Sequence, residues 1–462
     1  MTGAADTIVA VATPPGVGGI GVIRLSGPAA LLIAEAIAGP DLPPRRAIHR
    51  RLHDPAEGVI DDGIVIVFPA PHSYTGEDVV EIQGHGSPVL LQLLLDTALG
   101  LGARMARPGE FTERAFLHGR MDLAQAEAVA DLIHAQTATA ARLARSSLDG
   151  ALAQDVEPVA REILNLRVLI EAEIDFGETD LESAVAPEVA RRAQALAADV
   201  EALLARLRPA RIYSTGMRLA LVGAPNVGKS SLMNRLADAE VAIVTDRPGT
   251  TRDLLRANIA IDGIPVELID TAGLHESDDV VERIGIERAR RAAAGADLVL
   301  EVRDLTRPGV RAELPDLPGT PVLRVWNKQD LCPGSQSDLG ARSEPRGTAR
   351  AVVPDFEAHS DSMQRGIKVS AVTGEGLDAL RAAIRSEVGV VDTGQQRFSV
   401  RVRHLEGLGN AAACLLRIHA EQSPDLIAED LRLAERALDD LLGRGDHEEL
   451  LGAIFAGFCI GK

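Results

Sequence analysis

Residues 219–230 read Leu219-Ala-Leu-Val-Gly-Ala-Pro-Asn-Val-Gly-Lys-Ser230, an apolar run followed by a loop that contains two glycines. Residues 223–230 fit the pattern GxxxxGK[ST], and residues 219–222 have the composition of a buried strand. In such a strand, loop and helix the backbone N–H groups surround phosphate groups, and the helix adds its positive end. Lys229 would place a positive charge on the outer phosphates, and the Ser230 hydroxyl would bind Mg²⁺. The stretch predicts a nucleotide-binding α/β domain.

The sequence downstream of this loop alternates apolar strand-like runs with helical segments, which predicts a doubly wound α/β domain over residues 217–384. The predicted strands are 218–222, 259–261, 266–269, 298–302 and 322–325. A loop rich in Gly, Ser and Pro is expected at 333–366.

Two short motifs follow predicted strands of this domain. Asp270-Thr-Ala-Gly273 comes after one strand, where an aspartate reaches Mg²⁺ through water and a glycine N–H senses the γ-phosphate. Asn327-Lys328-Gln-Asp330 comes after another, and Ser370-Ala371 follows a third apolar run. The Asp330 carboxylate would accept two N–H groups of guanine and repel the acceptor edge of adenine. The motifs, in this order, predict a GTPase.

The residues assigned to nucleotide binding lie in the phosphate loop, in the loop before Asp270 and in these motifs. They are Asn226, Val227, Gly228, Lys229, Ser230, Ser231, Thr245, Thr250, Thr251, Asp270, Thr271, Ala272, Gly273, Asn327, Lys328, Asp330, Ser370 and Ala371. Mg²⁺ is assigned to Ser230 and Thr251, the latter in Gly249-Thr-Thr-Arg-Asp253.

GTP hydrolysis must be catalysed by a group other than the water-positioning glutamine of Ras-like enzymes, because Leu274 occupies that position. The side-chain carbonyl of Asn226 and backbone oxygens of Thr245, Arg247 and Thr250 would bind K⁺ and replace an arginine finger. Pairing of two G domains would close the site, and Arg252 is an alternative source of positive charge.

Composition limits the other classes of function. The chain has 462 residues, enough for about three domains, and its net charge of −19 opposes a broad electrostatic grip on nucleic acid. An RNA contact must be local or supplied by a partner. No apolar run is long enough for a membrane span, residues 1–18 do not resemble a secretory signal, and three scattered cysteines indicate neither disulfides nor zinc. We expect a cytoplasmic protein without membrane association.

The flanking segments predict two further domains. The sequence predicts a mixed α/β domain over residues 1–120, with two strands within 7–25, strands at 63–68 and 78–83, and helices near 28–38 and 88–99. Residues 121–216 and 385–462 share apolar positions at helical spacing. The pattern predicts one helical domain in two chain segments, with the G domain, 217–384, inserted between them.

Four stretches outside the G domain resemble the MnmE (TrmE) family of tRNA modification GTPases. They are TIVAVATPPGVGGIGVIRLSG (7–27), SYTGEDVVEIQGHGSP (73–88), ARPGEFTERAFLHGRMDLAQAEAVADLI (106–133) and FCIGK (458–462). The resemblance implies a folate-binding, dimerising N-terminal domain, a discontinuous helical domain and an inserted G domain. It implies a homodimer that forms a heterotetramer with the flavoprotein MnmG. The resemblance further implies that the chain and MnmG together add an aminomethyl or carboxymethylaminomethyl group to C5 of the wobble uridine of tRNA.

The family's one-carbon source is 5,10-methylenetetrahydrofolate, for which 5-formyltetrahydrofolate is an analogue. The resemblance places folate contacts on Arg24, Glu81, Arg120 and Lys462, although any one of them considered alone is better interpreted as a solvated surface charge. It also implies that Glu282 orients the attacking water through a second water. Val17 departs from the family pattern, in which a basic residue can occur.

Several alternatives stay open at this point. A ribosome-assembly GTPase shares every G motif, and a folate-dependent aminomethyl transferase without a role for GTP would explain the N-terminal part. Cys459 is either a nucleophile for the uracil ring or a small buried apolar residue. The identity of the tRNAs and the nitrogen donor, ammonium or glycine, are not determined.

Overall fold

The computed structural model describes residues 6–176, 185–239, 256–270, 295–310, 320–332, 366–390, 397–445 and 448–461. Several predicted residues lie outside this part of the chain: Thr245, Arg247, Thr250, Thr251, Arg252, Thr271, Ala272, Gly273, Leu274, Glu282 and Lys462. The chain forms two compact units. The first takes residues from 1–133, 147–201 and 406–462, and the second from 134–146 and 202–405.

The first unit contains a six-stranded sheet in the order β3-β4-β5-β2-β1-β6. Its strands are β1 Ile8–Val11, β2 Gly18–Ser26, β3 Ile48–Asp54, β4 Gly58–Phe68, β5 Val79–Gly86 and β6 Arg104–Met105. Neighbouring strands are antiparallel except β1 and β6, which run parallel. The strand predictions for residues 7–25, 63–68 and 78–83 are confirmed.

Helices α1 (Ala30–Ala38) and α2 (Pro88–Gly100) confirm the two predicted helices, and the structure shows that they pack on one face of this sheet. Alternate strand residues such as Leu25 and Ile82 are buried against them, because successive side chains of a strand point to opposite faces. Arg24 and Glu81 therefore lie on the other face.

The remaining helices of the first unit come from both ends of the chain. They are α3 Glu110–Leu117, α4 Leu123–His134, α6 Ala151–Phe176, α7 Val185–Leu207, α11 Val402–Arg417, α12 Pro424–Leu442 and α13 Glu448–Ala456. Arg167 on α6 forms an ion pair with Glu435 on α12. Gln194 on α7 donates to the Ile418 carbonyl at 2.7 Å. Helices from before and after the insert thus pack together, which confirms the predicted discontinuous helical region.

The second unit contains a six-stranded sheet in the order β12-β11-β10-β7-β9-β8. Its strands are β7 Met217–Val222, β8 Arg256–Ile261, β9 Ile264–Asp270, β10 Leu298–Asp304, β11 Val322–Asn327 and β12 Ile367–Lys368; its helices are α5 Ala138–Leu148, α8 Arg211–Thr215, α9 Lys229–Ala239 and α10 Leu377–Glu387. All pairs are parallel except β8 with β9. Each predicted strand is present, and the predicted P-loop fold is confirmed.

Strand β7 lies between β9 and β10, so the strand order changes direction beside it. In open α/β sheets, ligands bind beyond the carboxyl ends of the strands at such a point. The phosphate loop begins there, directly after β7. Within the described ranges, no helix combines the length and apolar character that a membrane span requires.

Candidate functional site

The backbone of the phosphate loop has positive φ angles and a close contact that favour glycine and asparagine at specific positions. Gly228 has φ +92°, and a Cβ there would lie 2.3 Å from Asn327 Nδ2. Asn226 adopts φ +61°, a left-handed conformation that asparagine tolerates better than most residues. Helix α9 starts at Lys229, and Leu232 N–H donates to the Gly228 carbonyl at 2.9 Å. The loop therefore leads directly into a helix N-terminus, which attracts anions.

The Lys229 amine is folded back over the loop. It donates to the carbonyls of Gly223 at 2.6 Å and Ala224 at 2.9 Å, and the residue is only 5% exposed. Ser230 and Ser231, the next two residues of α9, are exposed. A charged amine over the loop and an exposed hydroxyl at the helix start form the arrangement that phosphate and Mg²⁺ require.

Asn327 joins the phosphate loop to the loop after β12. Its Nδ2 donates to the Val227 carbonyl at 3.0 Å, and its Oδ1 accepts the Ala371 N–H at 3.0 Å. The side chain is buried, 2% exposed. Three segments that are distant in sequence are thus held together by one amide.

Asp330 is exposed, and one of its oxygens accepts the Ser370 hydroxyl at 2.6 Å. Ser370 is fully buried, and its Oγ also accepts the Thr373 N–H at 3.0 Å. The hydroxyl therefore fixes the orientation of a solvent-facing carboxylate. A carboxylate held in this way can accept the paired N–H donors of a guanine edge.

Lys328 links residues 327–330 to the phosphate loop. Its amine donates to the Asn226 carbonyl at 2.8 Å and to Asp304 Oδ2 at 2.7 Å. Burial alone would raise the pKa of Asp304, but hydrogen bonds from Lys328 and Thr306 outweigh it and hold the pKa below its usual range. Asp304 thus stays ionised and fixes the lysine beside the loop.

In the first unit, Arg24 and Glu81 stand directly opposite each other on β2 and β5. Arg24 Nη2 and Nε lie 2.7 and 3.0 Å from one Glu81 oxygen, Oε1. Their side chains are 14% and 19% exposed. The guanidinium also lies over the rings of Tyr74, at 5.5 Å, and Phe111, at 5.8 Å. A half-buried ion pair beside aromatic rings suits a flat polar ligand.

The C-terminal segment reaches this ion pair. Arg24 Nη1 lies 3.4 Å from the Gly461 carbonyl, and a Cβ on Gly461 would lie 2.4 Å from the Val11 carbonyl. The residue preceding Lys462 thus contacts Arg24, one of the predicted folate contacts, which is 437 residues away in sequence. Arg120, the fourth, is exposed, and its stem lies 3.5 Å from the position a Cβ would take on Gly76.

Two family models match the chain. The model for the GTP-binding protein TrmE N-terminus matches residues 7–120, and the MnmE helical domain matches residues 123–459. The tRNA modification GTPase MnmE of Ralstonia nicotianae is 44% identical over 98% of this chain and 96% of its own length. That of Nitrosomonas europaea is 45% identical over 99% of both. This chain belongs to the MnmE family.

Among solved structures, the FeoB G domain from Methanococcus jannaschii resembles part of this MnmE-family chain. It shares 22% identity over 37% of this chain and 97% of its own, with a TM-score of 0.25.

Sequence reasoning missed Asp304 and the aromatic residues Tyr74 and Phe111. Asp304 ends an apolar strand next to the strand that carries Asn327, and adjacent ends of parallel strands meet at one sheet edge. That signal was available in the sequence. The aromatic pair gave none, because only the tertiary structure places it beside Arg24. Cys459 is exposed, so the alternative of a small buried apolar residue is wrong.

Proposed function

We propose that this MnmE-family chain binds GTP in the described loop and hydrolyses it as part of tRNA wobble uridine modification. The observation that carries the proposal is the Asn327 bridge between the phosphate loop and Ser370-Ala371. The bridge supports a fixed arrangement in which Asp330 would read guanine and the start of α9 would bind phosphate. Guanine selection and phosphate binding then act on the same nucleotide.

Metal ions fit the donors in this part of the site. The exposed Ser230 hydroxyl at the start of α9, together with Thr251, would hold Mg²⁺, which neutralises charge on the transferred phosphate. Asn226 offers a neutral oxygen at the exposed turn of the loop, and with Thr245, Arg247 and Thr250 it would hold K⁺. Glu282 would orient the attacking water. Pairing of two G domains of a homodimer would exclude bulk water from these groups.

The Arg24 and Glu81 pair is proposed as the folate site, with Arg120 and Lys462. Glu81 Oε1 is held by Arg24, which leaves its second oxygen for the donors of a pterin ring, while a cation would meet the glutamate tail. 5,10-Methylenetetrahydrofolate bound there would supply one carbon. A cytoplasmic heterotetramer with MnmG would add the aminomethyl or carboxymethylaminomethyl group to C5 of the uridine.

Potassium dependence tests the proposed GTP chemistry. Steady-state GTP hydrolysis in KCl and NaCl should be faster in KCl for the unaltered chain. Asn226→Gly removes the side-chain oxygen and retains a residue that tolerates φ +61°, so it should abolish the difference between the salts. Glu282→Ala should slow hydrolysis in both salts. Equal rates in both salts for the unaltered chain, or loss only in Arg252→Ala, would reject potassium in favour of arginine.

Folate binding is tested by calorimetry of the full chain with 5-formyltetrahydrofolate. Glu81→Gln should weaken binding, whereas Glu113→Gln should not. Glu113 is a matched control, because it is also 19% exposed and also pairs with an arginine, Arg107. Equal affinity of the two variants would contradict the assignment. The wobble nucleosides of a deletion strain, measured by mass spectrometry, test the tRNA reaction.

A further inference from the structure

A run of positive charge lies at one edge of the N-terminal sheet. Residues 45–53 read Arg-Arg-Ala-Ile-His-Arg-Arg-Leu-His, with four arginines, two histidines and no carboxylate, in a chain whose net charge is −19. Most of this run lies on β3, the edge strand that pairs only with β4 among the described strands. We call Arg45, Arg46, Arg50 and Arg51 the basic edge. Arg45, Arg46 and Arg51 are exposed, and Arg50 is half-buried.

These arginines differ in their pairing from several other arginines of the first unit. Arg50 donates to the Asp41 backbone carbonyl at 3.2 Å, and Arg45 donates to a backbone carbonyl as well. Arg51 lies 3.8 Å from Asp62, with both side chains more than half exposed. No ion pair of Arg46 occurs within the described ranges. The basic edge therefore keeps most of its charge uncompensated.

Three arginines elsewhere in the same unit lie close to carboxylates. Arg24 lies 2.7 Å from Glu81, and Arg104 and Arg114 lie 2.6 Å from the carboxylates of Glu110 and Asp6. Such pairs have little attraction left for an external anion. The contrast marks residues 45–51 as a surface with unused guanidinium donors.

Guanidinium groups bind phosphate with paired N–H donors, and an edge strand adds a row of backbone N–H groups. Because the chain as a whole is acidic, a polyanion would be repelled over most of the surface and attracted at this edge. Charged residues on an edge strand also prevent strands from pairing with other molecules. That purpose would account for Arg50 and Arg51, which lie on β3, but not for Arg45 and Arg46, which precede the strand.

We propose that the basic edge contacts the sugar-phosphate backbone of RNA and that it holds part of the substrate tRNA. This inference rests on the proposed tRNA function and deepens it, because it assigns the local RNA contact that an acidic chain requires. Phosphate contacts carry no base information, so the basic edge positions the RNA and does not select its sequence.

The test compares two double variants of the full-length chain that each remove two positive charges. Arg46→Gln/Arg51→Gln alters the basic edge. Arg191→Gln/Arg432→Gln alters exposed arginines that pair with Glu188 and Glu429 at 2.7 Å. Affinity for a tRNA transcript is measured between about 50 and 200 mM salt, a range in which phosphate contacts change binding strongly. GTP hydrolysis and thermal unfolding of each variant establish that the fold is intact.

For the basic-edge variant we expect the negative slope of log K against log salt to become shallower by about 2, roughly one for each phosphate group that an arginine no longer neutralises. Its affinity at the lowest salt should fall at least about tenfold. The control variant should keep the slope and affinity of the unaltered chain. If both variants bind tRNA like the unaltered chain, the basic edge does not bind RNA, while the proposed tRNA function stands. If the unaltered chain binds no tRNA at any salt, the proposed function and this inference both fail.

Discussion

Replacing Asn327 by alanine removes the amide that joins three parts of the candidate GTP site. Two hydrogen bonds of this amide reach the Val227 carbonyl and the Ala371 N–H, each at 3.0 Å, and a longer one reaches the Gly228 carbonyl at 3.5 Å. Val227 is 2% exposed and Ala371 is 8% exposed, so both backbone groups would lose their partner away from solvent. The variant Asn327→Ala should therefore destabilise the second unit before any nucleotide is bound.

The size of the effect follows from the two backbone groups. A buried backbone group without a partner costs about 1–3 kcal/mol, so two cost at most about 6 kcal/mol. A water molecule that enters the space left by the amide would recover part of this. We expect a loss of about 2–4 kcal/mol, which lowers the melting temperature of a unit of this size by about 4–16 °C.

Thermal unfolding of the nucleotide-free protein, followed by tryptophan fluorescence, measures this loss. The chain contains one tryptophan, Trp326, which is buried next to Asn327, so the signal reports on the second unit. The control is Gln329→Ala, which removes an exposed hydrogen bond to Glu375 and should change the melting temperature by no more than about 2 °C. A shift that small for Asn327→Ala would refute the bridging role.

Further predictions concern pH, base selection and loop geometry. Burial raises the pKa of Glu110, but hydrogen bonds from Arg104, from the Arg107 N–H and from Arg114 outweigh it and lower the pKa to about 2. Because its ordinary value is 4.5, the ionised carboxylate contributes about 3 kcal/mol, which is present above about pH 4.5 and is lost as pH falls toward 2. Denaturation should therefore show that Glu110→Gln has a lower free energy of unfolding than the unaltered chain at pH 7, and that this difference shrinks below pH 4.5. A difference that does not depend on pH would contradict this. Asp330→Asn should weaken GTP binding at least about a hundredfold in competition assays and favour a xanthine nucleotide, because the amide donates where the carboxylate accepted; unchanged GTP preference would rule out base reading by Asp330. Gly228→Ala should abolish GTP binding in calorimetry, since its Cβ would lie 2.3 Å from Asn327 Nδ2; retained affinity would show that the loop can move aside.

Local sequence patterns were sufficient to predict many of the strands and helices. Strand runs such as 298–302 and helices such as 88–99 were predictable because alternation and helical spacing report directly on which side chains are buried. The phosphate loop was predictable for a similar reason, since glycine and asparagine occupy the positions where the backbone is left-handed. Domain boundaries at residues 120, 216 and 384 stay predictions, as do the roles of residues outside the described ranges.

The sequence by itself determined the class of chemistry, because GxxxxGKS, DTAG and NKQD each combine residue types and spacing that phosphate and guanine require. It could not show that Asn327 bridges two loops, that Asp304 fixes Lys328, or that Arg24 pairs with Glu81 and lies over two aromatic rings. Those contacts join residues between 24 and 100 positions apart, and the Gly461 carbonyl reaches Arg24 across 437 positions. Only the pairing of strands and the packing of the chain's two ends bring such groups within hydrogen-bonding distance, because hydrogen bonds act over about 3 Å and carry no trace in local periodicity.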